Sequence, residues 1–249
     1  MTDRRKVAVV TGGTRGIGRA ISLALAADGM RVLAPYARNR RAAEALEEEA
    51  RERGLEIVTL RGDLSKEEAF NRTVGAIRER CDRLDVLVHA AATGVHRPAA
   101  EITPKHLRFT LETNAVAAHA LVRELLPLIP AAGRIVGLTS VGGVRALPTY
   151  AAVGASKGAL ESLFRHWAVE LAPRGIAVNL VCPGTVRTEA LDAMPDTEER
   201  IAAAERGTPT GRLTTPEDVA RVVLFLCGDA AAQIVGQTIV VDGGRILSA

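Results

Sequence analysis

Aromatic side chains are scarce in this sequence: one Trp, two Tyr and four Phe among 249 residues, 3% of the chain. The shortage excludes the stacking platforms that hold single-stranded nucleic acids, and it makes both tyrosines, Tyr36 and Tyr150, worth placing. Cysteines are also few. Cys81, Cys182 and Cys227 are odd in number and widely separated, with no paired Cys or Cys/His spacing. That excludes a disulfide framework and a structural zinc site, and it points to a reducing, cytoplasmic setting. No apolar stretch free of charge reaches the length of about 18 residues that a membrane span requires. The charged start, Met1 to Lys6, runs straight into Val7-Ala8-Val9-Val10 and a glycine loop, so no signal peptide is expected. The formal charge is only +3, with Lys and Arg interspersed among Asp and Glu, so no nucleic-acid surface is expected either. What the chain does have is apolar content of 47%. A chain of this length buries roughly 70–75% of the surface its unfolded form exposes. No linker, repeat or low-complexity block divides it, and residues 1–249 read as one domain.

Short β-branched runs alternate with longer segments of helical period. The alternation predicts an α/β protein, a doubly wound Rossmann fold whose seven-stranded parallel sheet carries helices on both faces. Strands are expected near 6–10, 31–35, 55–60, 84–90, 133–139, 176–182 and 237–241, and helices near 17–28, 40–53, 66–80, 104–129, 150–172 and 216–228. Gly29, Gly54, Gly133, Gly175 and Gly228 stand where helices should end. Thr103-Pro104 and Thr215-Pro216 stand where they should begin. Between 184 and 214 both periodicities fade into Thr, Pro, Arg and Glu. So long a connection in a compact fold is usually functional, and a substrate lid is expected there.

The first strand delivers the chain into Thr11-Gly12-Gly13-Thr14-Arg15-Gly16-Ile17-Gly18 and then an amphipathic helix. Glycine at 12, 16 and 18 lets backbone approach a pyrophosphate at the helix N-terminus. Alone, the spacing describes any tight strand-to-helix turn; after the first strand of a βαβ unit it reads as a dinucleotide site. The second strand ends Leu33-Ala34-Pro35-Tyr36-Ala37-Arg38, without the acidic residue that would hold the ribose 2′-hydroxyl of NAD. Arg38 stands there instead, with Arg15 in the glycine loop. Guanidinium forks suit a 2′-phosphate, so NADPH is the expected cofactor. Arg40 and Arg41 read equally as a solvated helix start. Asp63-Leu64 follows the third strand, where the carboxylate is placed either to accept from an adenine amino group or to cap the next helix.

With Asn114, Ser140, a Tyr/Lys pair, Pro183-Gly184, Thr188 and the closing Val241-Asp242-Gly243-Gly244, these features span essentially the whole chain, and the sequence resembles the short-chain dehydrogenase/reductase family. The resemblance implies a Rossmann fold, nicotinamide chemistry and a homotetramer. It implies that Ser140 and Tyr150 hold a substrate oxygen, that Lys157 holds the nicotinamide ribose, and that Asn114 bends the fourth helix and anchors a relay water. It places Ala90, Pro183, Gly184, Val186 and Thr188 at the cofactor beside Gly12, Thr14, Arg15, Gly16, Ile17, Gly18, Arg38, Asp63 and Leu64. For the tetramer, helices 104–129 and 150–172 carry apolar residues on more than one face, among them Leu160, Leu163, Phe164 and Trp167.

Two departures sharpen the resemblance. Most members carry Tyr-x-x-x-Lys, but here Val153 stands four residues before Lys157, and the nearest tyrosine is Tyr150, giving Tyr-x6-Lys. That spacing is similar to the NADPH-dependent enoyl-acyl-carrier-protein reductases of the type III class. So are Tyr36-Ala37-Arg38, Gly94-Val95, Arg97-Pro98, Thr208-Pro209, Gly211-Arg212 and the run from Gly236 to Arg245. If both residues lie on one helix, seven positions return within about 20° of the same face, and a tyrosine three residues earlier shifts by roughly 4.5 Å along the axis. Conjugate reduction asks for such a shift, because hydride lands on the β-carbon while charge develops on the thioester oxygen two carbons further on. Lys157 is expected to lower the proton affinity of Tyr150, and Thr139 is an alternative to Ser140 as a polar lining. In the second departure Val88-His89-Ala90-Ala91-Ala92 replaces the family's Asn-Asn-Ala-Gly, which removes side-chain hydrogen bonds to the sheet and leaves His89 as a structural residue. His96, His106, His119 and His166 are scattered, with no metal cluster expected. The leading expectation is therefore reduction of an enoyl thioester carried by acyl carrier protein or coenzyme A. The alternatives are a ketoreductase and a catalytically silent NADPH-binding protein.

Overall fold

The computed structural model describes residues 5–187 and 197–247. Seven strands form one parallel sheet in the order β3-β2-β1-β4-β5-β6-β7. They are β1 Val7–Thr11, β2 Arg31–Tyr36, β3 Ile57–Arg61, β4 Val86–His89, β5 Arg134–Leu138, β6 Ala177–Pro183 and β7 Thr238–Val241, each where the sequence predicts a strand. The helices are α1 Gly16–Ala27, α2 Arg40–Glu52, α3 Glu67–Arg78, α4 Pro104–Leu111, α5 Ala117–Leu125, α6 Ala151–Leu171, α7 Thr197–Arg206 and α8 Pro216–Cys227. Strands covered on both faces read as continuous apolar runs, and Ala8, Val9 and Val10 of β1 are fully buried. Successive residues face opposite layers. Val10, Val32 and Val88 pack with Ile21 of α1, Leu46 of α2 and Val223 of α8. Val9, Leu33 and Leu87 pack with Ile77 of α3, Leu121 of α5 and Phe164 of α6. Each such side chain stabilises the fold by about 1.5–3 kcal/mol on burial. The strand order reverses between β1 and β4, and a crevice opens at the carboxyl ends of strands at such a point.

Both predicted helix starts form capping boxes. Thr103 and His106 exchange hydrogen bonds at α4, and Thr215 and Asp218 do so at α8. Gly29, Gly54 and Gly175 take the positive φ expected of helix ends, whereas Gly133 and Gly228 do not, and before Gly133 it is Ala132 that adopts φ 66°.

Four expectations are corrected. The helix expected over 104–129 is two helices joined by a π-turn at Glu112–Val116, closed by a 3-10 turn at Leu126–Leu128. The helix expected from 150 begins at Ala151, with Tyr150 as its N-cap. The connection 184–214 contains the ten-residue helix α7, whose first turn carries Glu198 and Glu199 and whose last carries Arg206, a charge order that suits the helix dipole. Its buried residues Ile201 and Ala204 are too few to show as a strong apolar period. Finally, of the apolar residues named on these helices, Leu160 and Phe164 serve the core alone, while Val169 and Val116 are the exposed apolar residues there. No helix among the described residues is long and apolar enough to cross a membrane.

Candidate active site

At the β1/β4 switch the chain leaves β1 through the glycine turn. Gly12 takes φ +65°, and a Cβ there would lie 2.9 Å from the Cα of Ala91; a Cβ on Gly18 would run into the carbonyl oxygen of Gly12. The glycines thus permit three backbones to meet where any side chain would hold them apart. Ser22 of α1 reaches back to the Gly13 carbonyl at 3.0 Å, and the Gly12 amide donates to the Pro35 carbonyl at 2.9 Å. Arg15 is the N-cap of α1 in extended conformation and offers no side-chain cap, so the first-turn amides stay open to an anion. The resulting cleft encloses about 420 Å³, within the range of small-molecule sites. Gly12, Thr14, Arg15, Gly16, Ile17, Gly18, Arg38, Asp63, Leu64 and Ala90 all line it. Arg38 is extended toward solvent, its Nη2 4.0 Å from Asp63 Oδ2. Asp63 does not cap α3, whose N-cap is Lys66. Its Oδ1 instead accepts from the Ser65 amide and hydroxyl, at 3.1 and 2.7 Å. Arg40 pairs with Glu44 on the solvated side of α2, and neither it nor Arg41 lines the cleft. A dinucleotide with a 2′-phosphate fits this combination of bare backbone, helix N-terminus and two arginines.

Pro183, Gly184 and Val186 lie away from this lining, at the end of β6. The Gly184 amide donates to the Val241 carbonyl at 2.8 Å, and Val186 bridges to Thr214. Thr188 lies outside the described residues.

The polar cluster beyond the cleft is made by β5 and α6. Tyr150 Oη donates to Ser140 Oγ at 3.2 Å. Ser140 Oγ also accepts from the Gly142 amide at 3.3 Å, which leaves its own proton to give. One edge of the Tyr150 ring packs against Gly142, where a Cβ would lie 2.4 Å from its Cδ1 and Cε1, and His96 tilts over the ring with centroids 5.5 Å apart. These contacts, rather than a shared helical face with Lys157, aim the hydroxyl. Lys157 is buried and donates from Nζ to the Leu138 carbonyl at 2.7 Å. Burial pushes its ammonium down to about 8, against the opposing influence of Cys182 and Glu161. Burial pushes the Tyr150 hydroxyl up, opposed by the Ser140 hydrogen bond. The Ser140 hydrogen bond is thus the influence that favours the ionised hydroxyl. Thr139 faces away from the Ser140 pair and donates to Glu161 Oε1 at 2.7 Å.

Asn114 sits in the π-turn, wholly buried. Its Oδ1 accepts from the Thr93 amide, and its Nδ2 donates to the Thr93 carbonyl, each at 2.8 Å, and to Ser156 Oγ at 2.9 Å. Both amide protons are spent on protein, so Asn114 clamps the segment after β4 onto α6 instead of presenting a donor to a relay water. His89 retains hydrogen bonding that the sequence reading had removed: its Nδ1 meets Thr11 Oγ1 at 3.1 Å, and the same hydroxyl accepts from the Ala91 amide at 3.1 Å. Its buried Nε2 has no hydrogen-bond partner among the described residues. Burial, then Lys157, pushes the imidazole down to about 3, partly opposed by the backbone of Asn114 and Thr113. Sequence reasoning missed Glu161, Ser156, Thr93 and Gly142. Glu161 alone left a signal, a carboxylate set among the apolar residues Leu160, Leu163 and Phe164 one turn beyond Lys157.

Known proteins place this geometry. A family model described as enoyl-(acyl carrier protein) reductase matches residues 12–245. The 1-cyclohexenylcarbonyl-CoA reductase of Streptomyces collinus is 36% identical over 244 residues, covering 97% of this chain and 87% of the relative. Among solved structures, a dehydrogenase/reductase from Sinorhizobium meliloti superposes with a TM-score of 0.90 at 32% identity, over 96% of this chain and 94% of its own. An actinorhodin polyketide ketoreductase variant with NADPH does so at 0.89 and 31%, over 97% of each. With the seven-stranded parallel sheet, the glycine turn and the Ser, Tyr and Lys cluster, these likenesses show that the chain belongs to the short-chain dehydrogenase/reductase family of oxidoreductases.

Proposed function

We propose that this oxidoreductase uses NADPH to reduce the carbon–carbon double bond of a 2-enoyl thioester, on acyl carrier protein or coenzyme A, in fatty-acid or related biosynthesis in the cytoplasm. The observation that carries the reading is the tyrosine's place. The position four before Lys157 holds the buried Val153, and the hydroxyl comes from Tyr150, at the N-cap of α6 beside Ser140. The glycine turn and the α1 N-terminus hold the pyrophosphate, Arg15 and Arg38 the 2′-phosphate, Asp63 the adenine and Lys157 the ribose. Pro183, Gly184, Val186 and Thr188 would serve the nicotinamide end. When bound, the reduced nicotinamide supplies a hydride. The thioester oxygen, on which negative charge would develop as the β-carbon is reduced, would accept hydrogen bonds from Tyr150 and Ser140. A proton from solvent water, added at the α-carbon, would complete the saturated thioester. Tyr150 is suited to donating, because burial keeps its hydroxyl protonated at neutral pH.

The Streptomyces relative, named for a cyclohexenyl thioester, supports this reading; the polyketide ketoreductase likeness supports carbonyl reduction instead. Following NADPH absorbance with crotonyl and acetoacetyl thioesters side by side separates them. Crotonyl thioesters should turn over faster, and an enzyme reducing acetoacetyl thioesters at least as fast is a ketoreductase. Segment 184–214 would cover the acyl chain. Exposed Val116 in the π-turn, Val169 on α6, Phe225 on α8 and Val240 on β7 support assembly as a homotetramer. Light scattering that reports a monomer at micromolar concentration contradicts the assembly.

A further inference from the structure

Three consecutive residues at the end of β5 each grip a different residue of α6 or its cap. The Leu138 carbonyl accepts from Lys157, Thr139 Oγ1 donates to Glu161, and Ser140 Oγ accepts from Tyr150. Two of those partners have a part in the proposed reaction, and Glu161 has none. It is an acidic side chain only 7% exposed, one helical turn beyond Lys157. A carboxylate is rarely buried unless it is paired and hydrogen-bonded. Glu161 is both: Thr139 holds Oε1 at 2.7 Å, and Arg165 Nη1 stands 3.8 Å from Oε2 on the solvent side.

We propose that Glu161 is a positioning residue of this site: its carboxylate pins the end of β5 to α6 through Thr139 and is the counter-charge that lets Lys157 be buried as a cation. The inference rests on Lys157 meeting the cofactor, not on which substrate bond is reduced. Glu161 lies one helical turn beyond Lys157, and the two side chains reach adjacent residues at the end of β5; Cys182 on β6 and His89 on β4 also interact electrostatically with Lys157, Asp242 acts on Cys182 in turn, and Arg165 on Glu161. Cys182 and His89 are neutral at pH 7, the thiol pushed up to about 11 and the imidazole down to about 3 by burial. That leaves Glu161 as the negative charge acting on Lys157. With its ammonium already down to about 8, Lys157 is close enough to neutrality to register the loss of that charge.

The test is NADPH binding without substrate, followed by cofactor fluorescence from pH 6 to pH 9. Glu161→Gln keeps an acceptor for Thr139 and removes the charge, so Lys157 sheds its proton at lower pH. Affinity should stay within about twofold of wild type at pH 6 and fall about tenfold below it at pH 9, a displacement of about one pH unit. Glu161→Asp keeps the charge and draws it back from Thr139; the binding profile should then stay in place while kcat falls about tenfold at unchanged KM for the thioester. Superimposable profiles for wild type and Glu161→Gln overturn the proposal, as does a loss equal at every pH. Stability supplies a second measurement that needs no ligand. Adding Lys157→Met should restore the urea midpoint, or the folding, lost in Glu161→Gln, and a double variant no more stable than the single one overturns the pairing. A wild type that binds no NADPH sinks the cofactor reading, and the urea comparison still decides the pairing.

Discussion

Around β1 the cleft is lined by main chain: a glycine turn, the open N-terminus of α1 and the Ala90–Ala92 segment, with two arginines at its rim. Between β5 and α6 the contacts are made by buried and half-buried side chains from separate segments of the chain. Ser140 meets Tyr150, Thr139 meets Glu161, and Asn114 meets both Thr93 and Ser156. A backbone cradle is specified by where glycine stands, and it tolerates change at its exposed rim. A side-chain cluster with no water to replace a lost partner fails when one member is removed. The cleft should therefore respond to mutation by degrees, and the cluster abruptly.

Removing the Tyr150 hydroxyl gives the largest effect. Tyr150→Phe should cost about 10²–10³ in kcat, by analogy with deletion of an oxyanion-hole donor, while NADPH affinity stays near wild type. Restoring tyrosine at 153 in that background should not rescue double-bond reduction, and a rescued rate would break the link between the tyrosine's position and the chemistry. Next comes Asn114→Ala, which strips the Thr93 backbone and Ser156 of their shared partner. A loss of about 2–3 kcal/mol in urea unfolding is expected; a loss below about 0.5 kcal/mol would make the cluster as tolerant as the rim.

His89 tests the boundary between the two regions, because its Nδ1 meets the hydroxyl of Thr11, which leads into the glycine turn, while Lys157 of the cluster acts on its ring. Folded, its imidazole is held down to about 3, whereas the unfolded chain takes a proton near 6.5. The folded state binds fewer protons between those values, so the stability tied to neutral His89 is intact above about pH 6.5 and is lost as pH falls toward 3. From pH 7 to pH 5 the wild type should lose about 2 kcal/mol more than His89→Asn. Parallel stability curves would show that His89 takes up its proton without unfolding. The smallest effect belongs to the rim: Arg38→Ala removes one exposed contact and should weaken NADPH about tenfold, leaving NADH within about twofold. Equal weakening of both cofactors would detach Arg38 from the 2′-phosphate.

The same contrast explains what could be read in advance. All seven strands and the cleft residues from Gly12 to Ala90 were legible, because strands buried on both faces and tight turns leave local patterns of apolar runs and glycine. The cluster's members were named in Tyr150, Ser140, Lys157 and Asn114, but not their partners, since neither sequence spacing nor composition shows that Thr93 lies under Asn114 or that Thr139 turns to Glu161. Tyr150 was read as a helical residue because Ala151 onward is helical and nothing in its own identity marks the cap. The interruption at Asn114 was expected only from the family resemblance, because one extra residue hardly disturbs an apolar period, and α7 went unread because two buried residues make a weak one.

The π-turn at Glu112–Val116 also determines what a change of length would do in this part of the chain. An α-helical residue advances the chain by about 100° around its axis, so deleting one residue here turns everything from Pro104 to Leu111 by that angle relative to α5. The helix would be regularised and its face toward α6 lost, together with the seat of Asn114. Insertions and deletions are usually absorbed in loops; at this point a single codon works as a gear tooth, and removing it changes the phase of the mechanism more than its size.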